Sequence, residues 1–244
     1  MKLSIFAFAA SVTAQGTHYL YGPQWGWYSM KTSGFITELE TTLLPNAPPS
    51  PAQTRLAIWP GMNTARGLIQ PIIVSSDEAL FQGAGCGGAT KSQWCVFASM
   101  ITSTQKAGKR VPMNGNDALN MRFKWNETLG GYNQWLSIKG KVVSELHMAT
   151  GKAKSFYIDT ECQAAHKGTV NNHTYTDTKF TLSEPAPGLD KQITMHYLAC
   201  ADSVTSSDGG KSWTIPNIKV EKSEAPKQYA TSAKVGAAGG ICGK

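Results

Sequence analysis

Apolar and polar residues alternate along this chain in short runs, and Gly, Pro, Asn or Ser cuts each run off before it reaches helical length. No window carries a capped 3.6-residue apolar repeat, whereas period-two alternation recurs throughout, as in strands with one face in a core. Strands are predicted over 19–27, 35–44, 55–60, 68–74, 93–101, 118–125, 132–138, 142–147, 154–159, 179–183, 193–199 and 218–222. So many strands without helical spacers cannot form parallel βαβ units, so the expected fold is all-β, an antiparallel two-sheet sandwich. No internal repeat is visible. The Pro-rich stretch 45–51 reads as a rigid crossover because strands resume on both sides, and 226–244, which trades its hydrophobic pattern for Gly and Ala, reads as a flexible C-terminal tail.

Two of the runs hold polar groups where apolar ones are expected. Gln70 interrupts Leu68-Ile69-Gln70-Pro71-Ile72-Ile73-Val74, so its amide is either a pocket group or a satisfied structural amide. The neighbouring run, Leu56 to Met62, contributes Trp59. Alternation puts Gln70 on the face of Leu68, Ile72 and Val74; Trp94, Val96, Ala98 and Met100 on one face of their strand; and Tyr157 with Asp159 opposite Phe156 and Ile158. An Asp and a Gln on facing strands, walled by Trp, make a proton-transferring carboxyl beside an orienting amide. Taken singly, Asp159 also fits a strand-end surface carboxylate, Trp59 and Trp94 fit core aromatics, and His196 fits a satisfied core imidazole as readily as a base. No Gly-x-Ser-x-Gly motif is present, and His18, His147, His166 and His173 show no spacing of a triad.

Composition narrows the setting. Lys2, the apolar run from Leu3 to Ala10 and the small residues Val12-Thr13-Ala14 read as a signal peptide over 1–14, leaving one β domain over 15–225. No segment approaches the roughly 20 apolar residues of a spanning helix. Export permits disulfides, and the five cysteines leave one over. Cys86 with Cys95 flank a Gly-rich tip, and Cys162 with Cys200 each end a strand-like run; those are the expected pairs, with Cys242 spare, although Cys242 joining Cys86 or Cys200 stays open. Asn126 and Asn172 head glycosylation sequons. The net charge of +7 is scattered, with Lys106, Lys109 and Arg110 the densest basic group in a solvated turn, so no nucleic-acid surface is expected. No metal spacing is visible and no cofactor is expected.

Residues 41–212 resemble the concanavalin A-like jelly-roll sandwiches that include the fungal glutamic peptidases. The likeness lies in the Trp-x-Gly run at Trp59, the Leu-Ile-Gln run at Gln70, the aromatic-led strand at Trp94, Gly115 to Met121, the Leu-Ser-Ile-Lys-Gly-Lys-Val-Val hairpin and the Phe-Tyr-Ile-Asp run ending at Asp159. In those peptidases a Gln and a Glu form the catalytic pair. The Gln position matches Gln70; the Glu position falls on Asp159, one methylene shorter, and a second acidic position falls on Val96. By overall type, in signal peptide, sequons, length and Trp content, the chain also resembles fungal hetero-Diels-Alderases of tropolonic sesquiterpene biosynthesis. That resemblance implies an intermolecular hetero-Diels-Alder cyclase joining a tropolone quinone methide to a terpene, with small apolar substrates held by Trp59, Ile72, Trp94, Val96, Tyr157 and His196 and with Gln70 and Asp159 catalytic. The alternatives are an acid endopeptidase using Gln70 and Asp159, and a non-catalytic carbohydrate-binding protein in which Trp59 and Trp94 stack on sugars.

Overall fold

The structure is a computed structural model, and it describes residues 19–50, 52, 54–163, 165–230 and 240–243. The expected signal peptide and most of the expected tail lie outside these. The strands run, in chain order, β1 (Tyr19–Trp27), β2 (Ile36–Leu44), β3 (Leu56–Thr64), β4 (Gly67–Ile69), β5 (Ile72–Ser75), β6 (Trp94–Phe97) and β7 (Ser99–Ile101). Then follow β8 (Gln105–Ala107), β9 (Val111–Met113), β10 (Leu119–Asn126), β11 (Gly131–Ile138), β12 (Lys141–Met148) and β13 (Phe156–Gln163). The last are β14 (Gly168–Val170), β15 (His173–Leu182), β16 (Met195–Tyr197), β17 (Ala199–Ala201), β18 (Ser212–Val220) and β19 (Ser223–Ala225). Among the described residues the only helical pieces are short 3₁₀ turns, two of them at Ala79–Phe81 and Ala84–Cys86.

The fold is an antiparallel two-sheet sandwich, as the alternation predicts. One sheet follows the order β12-β11-β10-β2-β15-β18-β17; the other runs β16-β1-β13-β3-β4-β7-β8, with β5, β6 and β9 branching from β3. The first sheet has one wet face, so its strands alternate: in β10, Leu119, Met121 and Phe123 point inward while Arg122 and Lys124 are exposed. The second sheet is covered on both faces, and β3, β5, β6 and β13 are buried almost without a break. Its inner face contributes Trp25, Trp27, Ile58, Ile73, Trp94, Val96, Phe156 and Ile158 to the core between the sheets. Its outer face carries a second apolar cluster of Trp59, Ile72, Val74, Phe97, Tyr157 and Met195, roofed by Phe81, Cys86 and Ala89.

Three predicted strands are broken in the structure: the run 193–199 divides at Leu198, whose φ is 49°, sending β16 to one sheet and β17 to the other, and two more break for local reasons. The run 68–74 divides at Gln70-Pro71, where Pro71 has no N–H to give a ladder and Gln70 N donates instead to Ser99 O at 2.9 Å. The run 93–101 divides at Ala98, whose N donates to Ser144 Oγ at 3.0 Å. Both breaks fall where the sheet passes from the β5-β6 branch to the β4-β7 branch. In the other direction, the strand predicted to stop at residue 159 continues to Gln163.

The disulfides are Cys86–Cys95, as expected, and Cys200–Cys242. The expected Cys162–Cys200 pair is not formed: Cys162 is a free thiol buried in the inter-sheet core, and Cys200 on β17 meets Cys242 instead. Ile241 bridges to Ala201, and Cys242 N donates to Ala201 O at 2.9 Å, so the end of the chain is fastened to the edge of the first sheet. Two disulfides are what a chain folding in an oxidising compartment carries. No helix among the described residues is long and apolar enough to cross a membrane.

Candidate active site

Register alone assembles the polar group on the outer face of the second sheet. Antiparallel partners share a face, so β16, β1, β13 and β3 place Tyr197, Gln24, Asp159 and Trp59 in one cross-strand row. The row on one side holds Met195, Gly26, Tyr157 and Gly61. The row on the other holds Tyr21, Glu161, Ala57, Val74 and Cys95. Glycine is needed at Gly26: its φ is 132°, and a Cβ there would run into the carbonyl oxygen of Phe156. Gly61 leaves the space in which the Trp59 ring lies.

Asp159 is only 3% exposed. Its Oδ2 accepts a 2.8 Å hydrogen bond from Gln24 Nε2; its Oδ1 closes no bond of normal geometry, although the Thr160 backbone N–H acts on the carboxyl. Trp59, its neighbour in the row, has a buried indole Nε1 that also lacks a protein acceptor. A buried donor or acceptor without a close partner costs about 1–3 kcal/mol, so these two atoms have spare hydrogen-bonding capacity. Tyr157 packs edge-on against Trp59 at 5.6 Å, donates from its OH to Asn63 Oδ1 at 3.2 Å and touches the ring of Tyr28, which is 36% exposed at the rim.

Electrostatics separate the two carboxyls. Burial raises the proton affinity of Asp159 well above the ordinary carboxylate range, the charge of Glu161 raises it further, and the Gln24 hydrogen bond opposes both. Burial also raises that of Glu161, against which the Arg55 guanidinium acts first and the Trp59 indole second, though Trp59 Nε1 closes no hydrogen bond of normal geometry. Desolvation, together with both carboxyls, holds the Tyr21 phenol protonated. Among the described residues no group of three or more His, Cys, Asp or Glu side chains converges as a metal site would.

Of the residues expected at the site, Asp159, Trp59 and Tyr157 stand together. Gln70 is 1% exposed with its Nε2 unpartnered, but the amide that bonds Asp159 is Gln24. Trp94 and Val96 belong to the inter-sheet core, on the opposite side of the sheet, and Trp94 Nε1 donates to Asn46 O at 2.8 Å. Their strand alternates as predicted; the face they occupy is the inner one. His196 pairs with Trp25 and so faces away from Asp159. Ile72 lies on the outer face but under Phe81, which stacks on Phe97 at 6.1 Å. The apolar wall expected of a terpene pocket is thus filled by the protein's own loop. Trp59 and Trp94, at 2% and 1% exposure, present no ring to a sugar. Of the sequon asparagines, Asn126 caps the β10–β11 turn, its Oδ1 accepting from Leu129 N, and Asn172 is exposed before β15.

Gln24 and Glu161 have no counterpart among the expected site residues. Period-two geometry carried past Asp159 would have placed Glu161 on its face, and Gln24 sits in the alternation of Gln24-Trp25-Gly26-Trp27. No family model matches the chain. No curated protein matches it either. Among solved structures it is similar to scytalido-glutamic peptidase with a peptide-based transition state analog, at 12% identity over 81% of this chain and 98% of that one, with a TM-score of 0.45. The same peptidase with a transition state analog inhibitor gives 10% identity, the same coverage and a TM-score of 0.48. SCP-B, a member of the Eqolisin family of peptidases in complex with the tripeptide Ala-Ile-His, gives 12%, the same coverage and 0.43. At such identity and superposition, the site is read from its own residues.

Proposed function

We propose that the protein is an acid–base hydrolase of amide bonds, an acid endopeptidase in which Asp159 moves the proton. The observation that carries this reading is a buried carboxyl, Asp159, with one oxygen fixed by Gln24 and Trp59 next to it in the same cross-strand row. Ionised Asp159 takes a proton from water as the water oxygen bonds to the scissile carbonyl carbon. Trp59 Nε1 donates to the oxygen on which negative charge collects, and Gln70 Nε2 is a second buried open donor on the same scaffold. Asp159 then passes its proton to the leaving nitrogen as the C–N bond breaks, and returns to its starting charge. A base whose proton affinity burial raises works only above that raised value, so the acid limb of the pH profile lies above the ordinary carboxylate range. An intermolecular cycloaddition asks instead for an open apolar wall, and Phe81 occupies the one beside this site.

The test is cleavage of an unfolded protein substrate between about pH 3 and pH 7. Asp159→Asn should lower kcat by roughly a hundredfold or more. Trp59→Phe, which keeps the ring and removes the N–H, should lower kcat roughly a hundredfold with KM little changed. Absence of cleavage across the range, or an Asp159→Asn variant that cleaves like the parent, overturns the assignment.

A further inference from the structure

We propose that Asp159 and Glu161 form a coupled pair sharing one proton, with Glu161 the charged member opposite Arg55 and Asp159 the protonated one, so that Glu161 is the positioning residue that sets the pH range of the site. The catalytic half of this inference rests on the hydrolase reading above; the pairing itself does not.

The geometry leaves the two carboxyls little else to interact with. They are two residues apart on β13 and share its outer face, their backbone positions about 6.6 Å apart along the strand. Both are more than nine-tenths buried, at 3% and 8% exposure. Like charges so placed in a dry setting ionise in two separated steps, and one carboxyl keeps its proton to higher pH than the other. Which one is decided by the neighbours on every packed element. From β1 come Tyr19, Tyr21 and Gln24; Tyr21 stands opposite Glu161, and Gln24 bonds Asp159. β13 itself adds Tyr157, and β16 adds Tyr197 in Asp159's own row. Tyr175 of β15 and Tyr229 also feel the charge of Asp159, each as a neutral phenol whose own ionisation that charge opposes. Among the described residues the one cation acting on either carboxyl is Arg55, next to the β3 register facing β13, where Gln163 N donates to Arg55 O at 2.9 Å.

Arg55 is held independently of either carboxyl. Its guanidinium lies 5.7 Å from the Tyr19 ring centroid and 5.4 Å from that of Phe81, so two aromatic faces fix it. It favours the charged form of Glu161, whereas no cation does the same for Asp159. Phe81 is carried on the loop pinned by Cys86–Cys95, and that loop also reaches β13 through Gln163 Nε2, which donates to Glu78 Oε1 at 3.5 Å. The loop therefore places the cation, the cation selects the charged carboxyl, and the charged carboxyl leaves the proton on Asp159. Two pairs of atoms that would be costly separately make one asymmetric site.

The experiment follows the side-chain carboxyl ¹³C resonances of selectively labelled Asp and Glu through a pH titration of the whole protein. In Glu161→Gln the half-protonation point of Asp159 should move toward acid by about one pH unit. In Asp159→Asn that of Glu161 should move the same way by a similar amount, because coupling is reciprocal. The second variant reads the same coupling if the first does not fold. Arg55→Gln should move Glu161 toward higher pH. Asp159 titrating alike in parent and Glu161→Gln, or Glu161 alike in parent and Asp159→Asn, overturns the pairing. The resonances report whether or not the protein cleaves peptides, so failure of the hydrolase reading and failure of the pairing are separate results. If cleavage is seen, its pH profile in Glu161→Gln should move toward acid with Asp159, which a merely structural Glu161 would not cause.

Discussion

Asp159 and His173 are both buried titrating groups, and they make stability depend on pH in opposite directions. The affinity of His173 for a proton is lowered by burial, with its pKa falling to about 4, and only a 3.2 Å contact between Nδ1 and Asn171 O works against this. The unfolded chain then binds the proton first, so stability contributed by neutral His173 is present above the usual histidine range and is lost as pH falls toward 4. The full difference amounts to about 3 kcal/mol. Asp159 is raised, so the native state holds its proton longer than the unfolded chain does, and that contribution is full below the ordinary aspartate range and lost as pH rises through the native value. Thermal unfolding across pH should show His173→Gln flattening the acid side of the profile and Asp159→Asn flattening the opposite side; parallel profiles for parent and variants would refute both assignments. At this scale the sequence showed Asp159 and Trp59, whose faces follow from alternation alone. Glu161 was hidden because a carboxylate at the end of an apolar run looks like the end of the strand, and Gln24 because its partner is 135 residues away.

At the scale of elements, the site depends on where strands break and on which glycines let them approach. Gly26 belongs to the row beside Asp159 and holds a φ open only to glycine, against the backbone of β13. Gly26→Ala should destabilise the protein by about 1–3 kcal/mol and disturb the Gln24–Asp159 hydrogen bond two residues away, to be measured by denaturant unfolding. An unchanged midpoint would mean that β1 can shift without consequence. Most strands are readable from period two because one face meets the core. The breaks at Gln70-Pro71 and at Ala98 are different in kind. Pro71 was visible, but Ala98 is ordinary locally, and its departure from the ladder is set by Ser144 on β12, far along the chain. Alternation likewise separated the faces of β6 without saying which was inner. Both faces of that strand are buried, so hydrophobicity could not distinguish Trp94 from Phe97.

For the whole molecule, the two-sheet architecture followed from composition and pattern, while the cysteine pairing needed the fold. Cys162 faces the core with its thiol pushed up to about 12, so it is inert. Alkylation of the native protein should label no thiol, and alkylation in denaturant without reductant should label Cys162 alone; a labelled Cys242 would refute the pairing. On chain-entropy grounds the Cys200–Cys242 bond, closing 42 residues, stabilises by about 4 kcal/mol, and Cys86–Cys95, closing 9, by about 3 kcal/mol. Double serine variants compared by thermal unfolding should rank in that order.

The first described strand is completed by the last parts of the chain. β1 lies between β13 and β16, Tyr21 exchanges hydrogen bonds with Ala230, and Trp25 Nε1 donates to Gly240 O. During synthesis β1 therefore precedes its partners, by 135 residues at Asp159 and by 215 at Gly240. Its Trp25 and Trp27 stay without their full core until then, and the Asp159 site cannot assemble before β13 has been made. The order in which the chain is made thus keeps the site silent until β13 and β16 have followed β1.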